Sequence, residues 1–330
     1  MLSLRPLALL VSSVAFGAIV TGCSGTASVP PAPAAANAQT PAFTQPQSIT
    51  QKSKEAALYV SDTIGKSVFR FVLNSNGTLQ SPAGSSLVLP YNPFAIAVEG
   101  GNLYVTNQVN NSVEVYKAGS TGSAKAKRTI LLAFEPTSVA VDASGYEYVG
   151  GSTNGYVAVF APGAKGSATP LQEISLPDRH PTINGVAVDG SGNLYISDTN
   201  EVSVFTTPET NPTLSRAIIG SGQQNGPTGM AIDTHGENYV ANFGDSNVLA
   251  YSPAANGTSG PDRTIFSSGP ALIGPVGDAV KGDDLYVTSG NPLNGPASVF
   301  VFNSQKAEQT PIQVVTGSYL AEPVGAALGP

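Results

Sequence analysis

Three side chains stand out first as candidates for acid or base chemistry in this chain. Histidine occurs twice, at His180 and His235. A histidine acid/base pair, or a serine hydrolase triad, requires the imidazole within hydrogen-bond reach of its partners. Asp278 is the third, because it stands inside an apolar stretch, Pro275-Val276-Gly277-Asp278-Ala279-Val280. A carboxylate buried there needs a partner or shifts its pKa upward. One reading makes Asp278 a catalytic or metal-binding group facing inward, and the other makes it the product of a locally slipped strand that exposes it. No Gly-rich phosphate loop opens a helix, and neither HExxH nor a paired CxxC occurs, so nucleotide and zinc chemistry are unsupported.

What must position these residues is a repeat. One unit reads Pro, a variable residue, a small residue, an apolar residue, Ala, Val or Ile and often Asp, then a Gly turn, Leu-Tyr-Val, a polar turn and Ser-Val-x-Val-Phe/Tyr. The second-strand tyrosine recurs as Tyr59, Tyr104, Tyr148, Tyr195, Tyr239 and Tyr286, at spacings of 44 to 47 residues. The third-strand aromatic recurs as Phe71, Tyr116, Phe160, Phe205, Tyr251 and Phe302. Asp142-Ala143-Ser144-Gly145, Asp189-Gly190-Ser191-Gly192 and Asp233-Thr234-His235-Gly236 are hairpin signals, in which Asp bonds its own backbone and Gly supplies a positive φ. Arg128-Thr129-Ile130, Arg216-Ala217-Ile218 and Arg263-Thr264-Ile265 mark a fourth, outer strand.

Six copies predict an all-β, six-bladed β-propeller of four-stranded antiparallel blades over residues 55–330. The repeat opens at Ala57-Leu58-Tyr59-Val60, a second strand with no first, and ends at Pro323-Val324-Gly325-Ala326-Ala327-Leu328, a first strand with no second. Pairing of the two closes the ring without an open radial edge. The turn order then places His180 on the face where the second strand ends and His235 on the opposite face, so the two cannot pair. In five blades the position of Asp278 holds Ile96, Val139, Val186, Met230 or Ala326.

Residues 1–22 carry Arg5 and an apolar run from Leu7 to Val20, too short for a comfortable membrane span, and read as a secretory signal. The run ends in Val20-Thr21-Gly22-Cys23, which resembles the lipobox of bacterial lipoproteins. That resemblance implies lipidation of Cys23, the only cysteine, and, with Ser24 following it, sorting to the outer membrane. No thiol nucleophile or disulfide then remains. Residues 23–54 are rich in Ala, Pro, Thr, Gln and Ser and are expected to form a disordered tether.

The formal charge of −7 makes nucleic acid a poor partner, since affinity there comes from cations releasing counterions. Lys125, Lys127 and Arg128 read as a solvated loop and strand edge.

The repeat resembles the NHL-repeat and SMP-30-like six-bladed propellers. Its second-to-third strand turns, Asp62-x-x-Gly65-x-Ser67-Val68, Asn107-x-x-Asn110-x-Ser112-Val113 and Asn242-x-x-Asp245-x-Asn247-Val248, lack the arginine of the NHL pattern, so basic binding faces are not carried over. SMP-30-like lactonases hold a divalent cation at the channel mouth with Glu, Asn and Asp oxygens. The matching residue types here are Glu135, Asn184, Asp198 and Glu322, which implies Ca²⁺ or another divalent cation as a cofactor. Asn92, Glu135, His180, Thr182, Asn184, Glu322 and the post-strand residues Asp62, Asn107, Asp198 and Asn242 are expected on that face. The alternative is that Asp62, Asn107, Asp198 and Asn242 cap their own turns.

The function expected first is a membrane-anchored extracytoplasmic binding or scaffold module, monomeric, engaging a protein, peptide or glycan and meeting the membrane through its lipid alone. The alternative is a divalent-metal lactonase or related hydrolase at the central channel, with Asp278 and His180 as candidate catalytic residues.

Overall fold

The computed structural model describes residues 16–17, 55–82, 86–153, 155–176, 182–290 and 296–330. The lipobox with Cys23, the tether and His180 lie outside the described residues, as do residues 1–15 and 18–22 of the signal segment. The short strand Phe16–Gly17 pairs in parallel with Gly185–Val186.

Six antiparallel four-stranded sheets form the propeller. The first blade orders Pro323–Gly329, Ala57–Asp62, Ser67–Val72 and Ser86–Val88, so the last strand of the chain is its innermost one. Leu58 lies opposite Leu328 and Val60 opposite Ala326, the closure predicted from the incomplete ends of the repeat. Blades two to six begin with the inner strands Pro93–Glu99, Pro136–Val141, Gly185–Val188, Pro227–Ile232 and Pro275–Lys281, and each runs outward in chain order.

The burial pattern explains why the strands read as apolar runs. Each sheet is covered on both faces by its neighbours, so every residue of Ala57–Asp62, Pro136–Val141 and Pro227–Ile232 is buried. Only at the rim does water reach the sheet, and Arg128–Leu131 and Gln172–Ser175 keep a single buried residue each, Ile130 and Ile174. The six repeated tyrosines are buried in the seams between blades. Three inner hairpins form as their sequences require: Asp142, Asp189 and Asp233 each accept two backbone N–H bonds from their own turns. Gly145, Gly192 and Gly236 supply φ of 88°, 83° and 82° there.

A hydrogen-bonded belt around the rim was not anticipated from the sequence. The outer strand of one blade bridges in parallel to a turn of the next at Leu87 with Gly122, Ile130 with Gly166, and Ile218 with Gly257. At each bridge the glycine, with φ of 59°, 59° and 56°, both donates and accepts. Between blades five and six, Phe266 and Ser267 pair with Glu308 and Gln309 instead. The belt occupies edges that would otherwise offer free N–H and C=O groups.

Candidate functional site

The inner strands surround the channel, and the polar side chains beside them stitch one blade to the next. Ser61 Oγ donates to the Phe94 carbonyl at 2.5 Å, Thr137 Oγ1 to Ile183 at 2.7 Å, and Ser197 Oγ to Thr228 at 2.9 Å. Thr228 Oγ1 reaches Pro275 at 3.2 Å and Thr288 Oγ1 reaches Val324 at 2.7 Å. Five of the six seams are latched by a hydroxyl in this way. A buried carbonyl left without a donor costs about 1–3 kcal/mol, so these hydroxyls have structural work to do.

The residues expected at the channel mouth divide similarly. Asp62 is fully buried and accepts from the backbone N–H groups of Gly65 at 2.6 Å, Ala321 at 2.6 Å and Glu322 at 3.2 Å. Asn107 accepts from Asn110 N–H and donates to Glu114, and Asn242 accepts from Asn225 N–H while donating to the Gln223 carbonyl. Asp198 accepts from the N–H groups of Asn200 and Glu201. Asn184 donates to the carbonyls of Asp198 and Pro227, both at 2.9 Å, so this pair of the implied metal set does come together.

Glu322 lies instead beside Asp62, and burial followed by that carboxylate's charge raises its pKa. Glu135 and Asn92 are exposed, and Thr182 donates to the Ser152 carbonyl at 3.0 Å. Among the described residues no three His, Cys, Asp or Glu side chains converge as a metal site would require. His235 sits in the fifth blade's inner hairpin, its ring largely exposed and its Nδ1 3.6 Å from Asp233 Oδ2.

Asp278 is completely buried, and neither carboxyl oxygen has a hydrogen-bond partner among the described residues. No slipped strand exposes it: Asp278 lies opposite Val287, and the break in register after Pro275 is also found after Pro93 and Pro227. The side chain points at Gly229 of the preceding blade, whose missing Cβ would stand 3.0 Å from Asp278 Oδ1. Burial pushes its pKa well above the ordinary aspartate value.

Away from the channel, Arg128 corrects the expectation of a solvated cluster. Its guanidinium is bidentate to the buried Glu147 of the next blade and also donates to the Ala164 carbonyl. Lys127 does remain at the surface, bonded to Asn102 at 2.6 Å. The signal for Arg128 was present in the repeat, because Glu147 replaces the leucine found at Leu58, Leu103, Leu194 and Leu285. Arg263 pairs with Glu237 within its own blade.

Among the clefts that open on the surface of the described residues are three between blades. Two, of about 380 and 470 Å³, are equivalent notches between an outer strand and the following blade, around Leu132 and Phe134 and around Leu89 and Glu114. The third, about 450 Å³, lies between the inner hairpins of blades four and five and is lined by Asp189, Ser191, Tyr195, Arg216, Asp233 and Thr234 among others.

No family model and no curated protein matches the chain. Among solved structures it is similar to a chain in the crystal structure of a nidogen/laminin complex, with a TM-score of 0.63 and 17% identity, covering 83% of this chain and 98% of that one. It is also similar to a protein of unknown function from Bacteroides caccae, with a TM-score of 0.61 and 12% identity, covering 83% and 99%. At these identities the likeness shows the fold, a six-bladed β-propeller, and the fold alone.

Proposed function

We propose that this chain is a membrane-anchored extracytoplasmic binding module whose propeller face engages a protein, peptide or glycan. The supporting observation is the division of labour on the face where the second strands end. There Asp62, Asn107 and Asn242 spend their side chains on neighbouring backbone, while Ile64, Val109 and Phe243 in the same turns project outward at 57%, 78% and 37% exposure. Ile64 and Val109 occupy the same position in adjacent blades and give that face apolar surface suited to a partner. The fold is compatible with protein binding, and the structural neighbour from the nidogen/laminin complex is a propeller chain found in a protein assembly. Kinship with NHL-repeat and SMP-30-like propellers rests on the repeat, and the anchor rests on Val20-Thr21-Gly22-Cys23.

The test compares the full chain with an Ile64→Asp, Val109→Asp double variant of equal melting temperature. Retention of a partner by the wild type and its loss in the variant supports this reading, and equal retention by both rejects the face. Incorporation of labelled palmitate, absent in Cys23→Ser, checks the anchor. A calorimetric titration with Ca²⁺ decides the alternative: tight binding abolished by Glu135→Ala or Asp278→Ala would replace the binding module with a metal-dependent hydrolase.

A further inference from the structure

In five blades the inner strand is the last strand of its sheet, so among the described residues its second edge has no strand partner. Blade four differs. There Phe16–Gly17 adds a fifth strand, with Phe16 opposite Gly185 and Gly17 opposite Val186. The Cα atoms of these two residues also come within 8 Å of the inner strands of all six blades. Only a segment on the axis of the ring meets all six at once, so a stretch of the chain's own backbone lies extended in the central channel.

This seated strand shows what the channel can hold. The edge of a sheet presents N–H and C=O groups to whatever lies beside it, and an extended peptide satisfies them by adding as a further strand. The pairing is parallel, and Gly185–Val188 leads into the inner hairpin that begins at Asp189. An occupant running this way directs its amino-terminal end to the face that carries Ile64 and Val109.

We propose that the central channel binds an extended peptide, apolar where it passes the inner strands and basic at its ends, by strand addition to Gly185–Val188. The inner strands repeat a buried alanine at Ala97, Ala140, Ala187, Ala231, Ala279 and Ala327, so a charge carried between them would lose its water. Both mouths are acidic. Glu135, Glu201, Asp245 and Glu322 stand in the turns of one, where Lys66 is the only cation among the described residues. Asp142, Asp189, Asp233 and Asp283 stand in the inner hairpins of the other, against Lys281. Positive charge at the ends of the occupant is drawn to both. Cleavage at the lipobox would remove Phe16–Gly17 and leave the channel to a segment of the partner. The site rests on the binding-module reading and names the part of the partner that is bound.

The probe is a fluorescent peptide with the sequence of Val14–Ile19 and two arginines added at each end. It is titrated against the chain beginning at Cys23, which keeps the pairing of Ala57–Asp62 with Pro323–Gly329 that closes the ring, and against the full chain kept unprocessed as Cys23→Ser. Saturable binding by the shorter chain is expected, and binding about tenfold weaker by the full chain, whose own segment competes. Glutamates in place of the added arginines should weaken binding about tenfold, and proline in place of the peptide's glycine should abolish it, because the ladder loses a donor. Independently of the shorter chain, photoreactive benzoylphenylalanine at position 16 of the full chain should cross-link to the inner strands. No saturable binding by the shorter chain, equal affinity of the two chains or of the peptides, or cross-links confined to the rim would overturn the site. Such a failure with partner retention still dependent on Ile64 and Val109 would leave the broader reading standing.

Discussion

Arg128 and Glu147 join two blades through a buried ion pair, with Nη2 2.5 Å from Oε1 and side-chain exposures of 17% and 0%. Arg128 also lies 5.5 Å from the centre of the Tyr104 ring. Burial raises the Glu147 pKa and the Arg128 hydrogen bonds oppose that rise, so the acid depends on its partner to stay charged. Removing one partner leaves an uncompensated buried charge, whereas removing both is far less costly. Arg128→Met alone is expected to destabilise the protein by about 3–5 kcal/mol in denaturant unfolding. The double variant Arg128→Met, Glu147→Leu, which restores the leucine of four other blades, should recover most of that loss.

Asp62 ties the ring shut, since it holds amides of both its own turn and the segment leading into the last strand. Asp62→Ala strands the Ala321 and Glu322 amides and is expected to cost about 3 kcal/mol. Hydrogen exchange should accelerate first at Ala57–Asp62 and Pro323–Gly329, where the two chain ends pair.

Replacing Asp278 should strengthen the fold. Asp278→Val introduces the residue found at Val139 and Val186 and removes two unsatisfied oxygens. A gain of about 1–3 kcal/mol is expected. The gain depends on pH with a definite sign. Below the ordinary aspartate pKa both folded and unfolded chains hold the proton, and no ionisation penalty is added to that gain. Above it the unfolded chain releases the proton while the buried group keeps it, so wild-type stability falls relative to the variant by about 1.4 kcal/mol per pH unit until the folded group ionises. Melting curves of the two proteins between pH 3.5 and roughly pH 7 check this.

Glycine at 277 reflects how closely the inner strands approach. A Cβ there would stand 2.3 Å from the Val324 carbonyl and 2.9 Å from the Ala326 nitrogen. Gly277→Ala is expected to cost about 3 kcal/mol through forced separation of the strands. Gly190→Ala, with nothing within 4 Å of its Cβ, should stay within about 0.5 kcal/mol of wild type.

The ring and its closure were legible because the repeat uses the same tyrosine in successive blades and the same Asp/Gly hairpin in three of them, and because a sheet covered on both faces is built mostly from apolar residues. The belt was not read, although Gly122, Gly166 and Gly257 each stand six residues before Arg128, Gln172 and Arg263. Its bonds run between backbones of different blades, so no side-chain pattern advertises them. Asp278 was legible as a break in an apolar column, whereas Glu147 breaks an equivalent column and was passed over. Its meaning depends on an arginine in the preceding blade, a relation visible only once the blades are stacked. The polar residues near the channel could be named but not assigned, because stitching a carbonyl and binding a cation call for the same oxygen-rich side chains.

The glycine bridges at the rim carry a consequence for how the molecule comes apart. Blades joined only by side-chain packing could peel away singly, as units of an open array do. Here, detaching one blade also breaks backbone hydrogen bonds of its neighbour, on top of the hydroxyl latches beside the channel. Loss of order should therefore be concerted, because the rim bridges at four seams and the latches beside the channel together leave no blade as a separable stave.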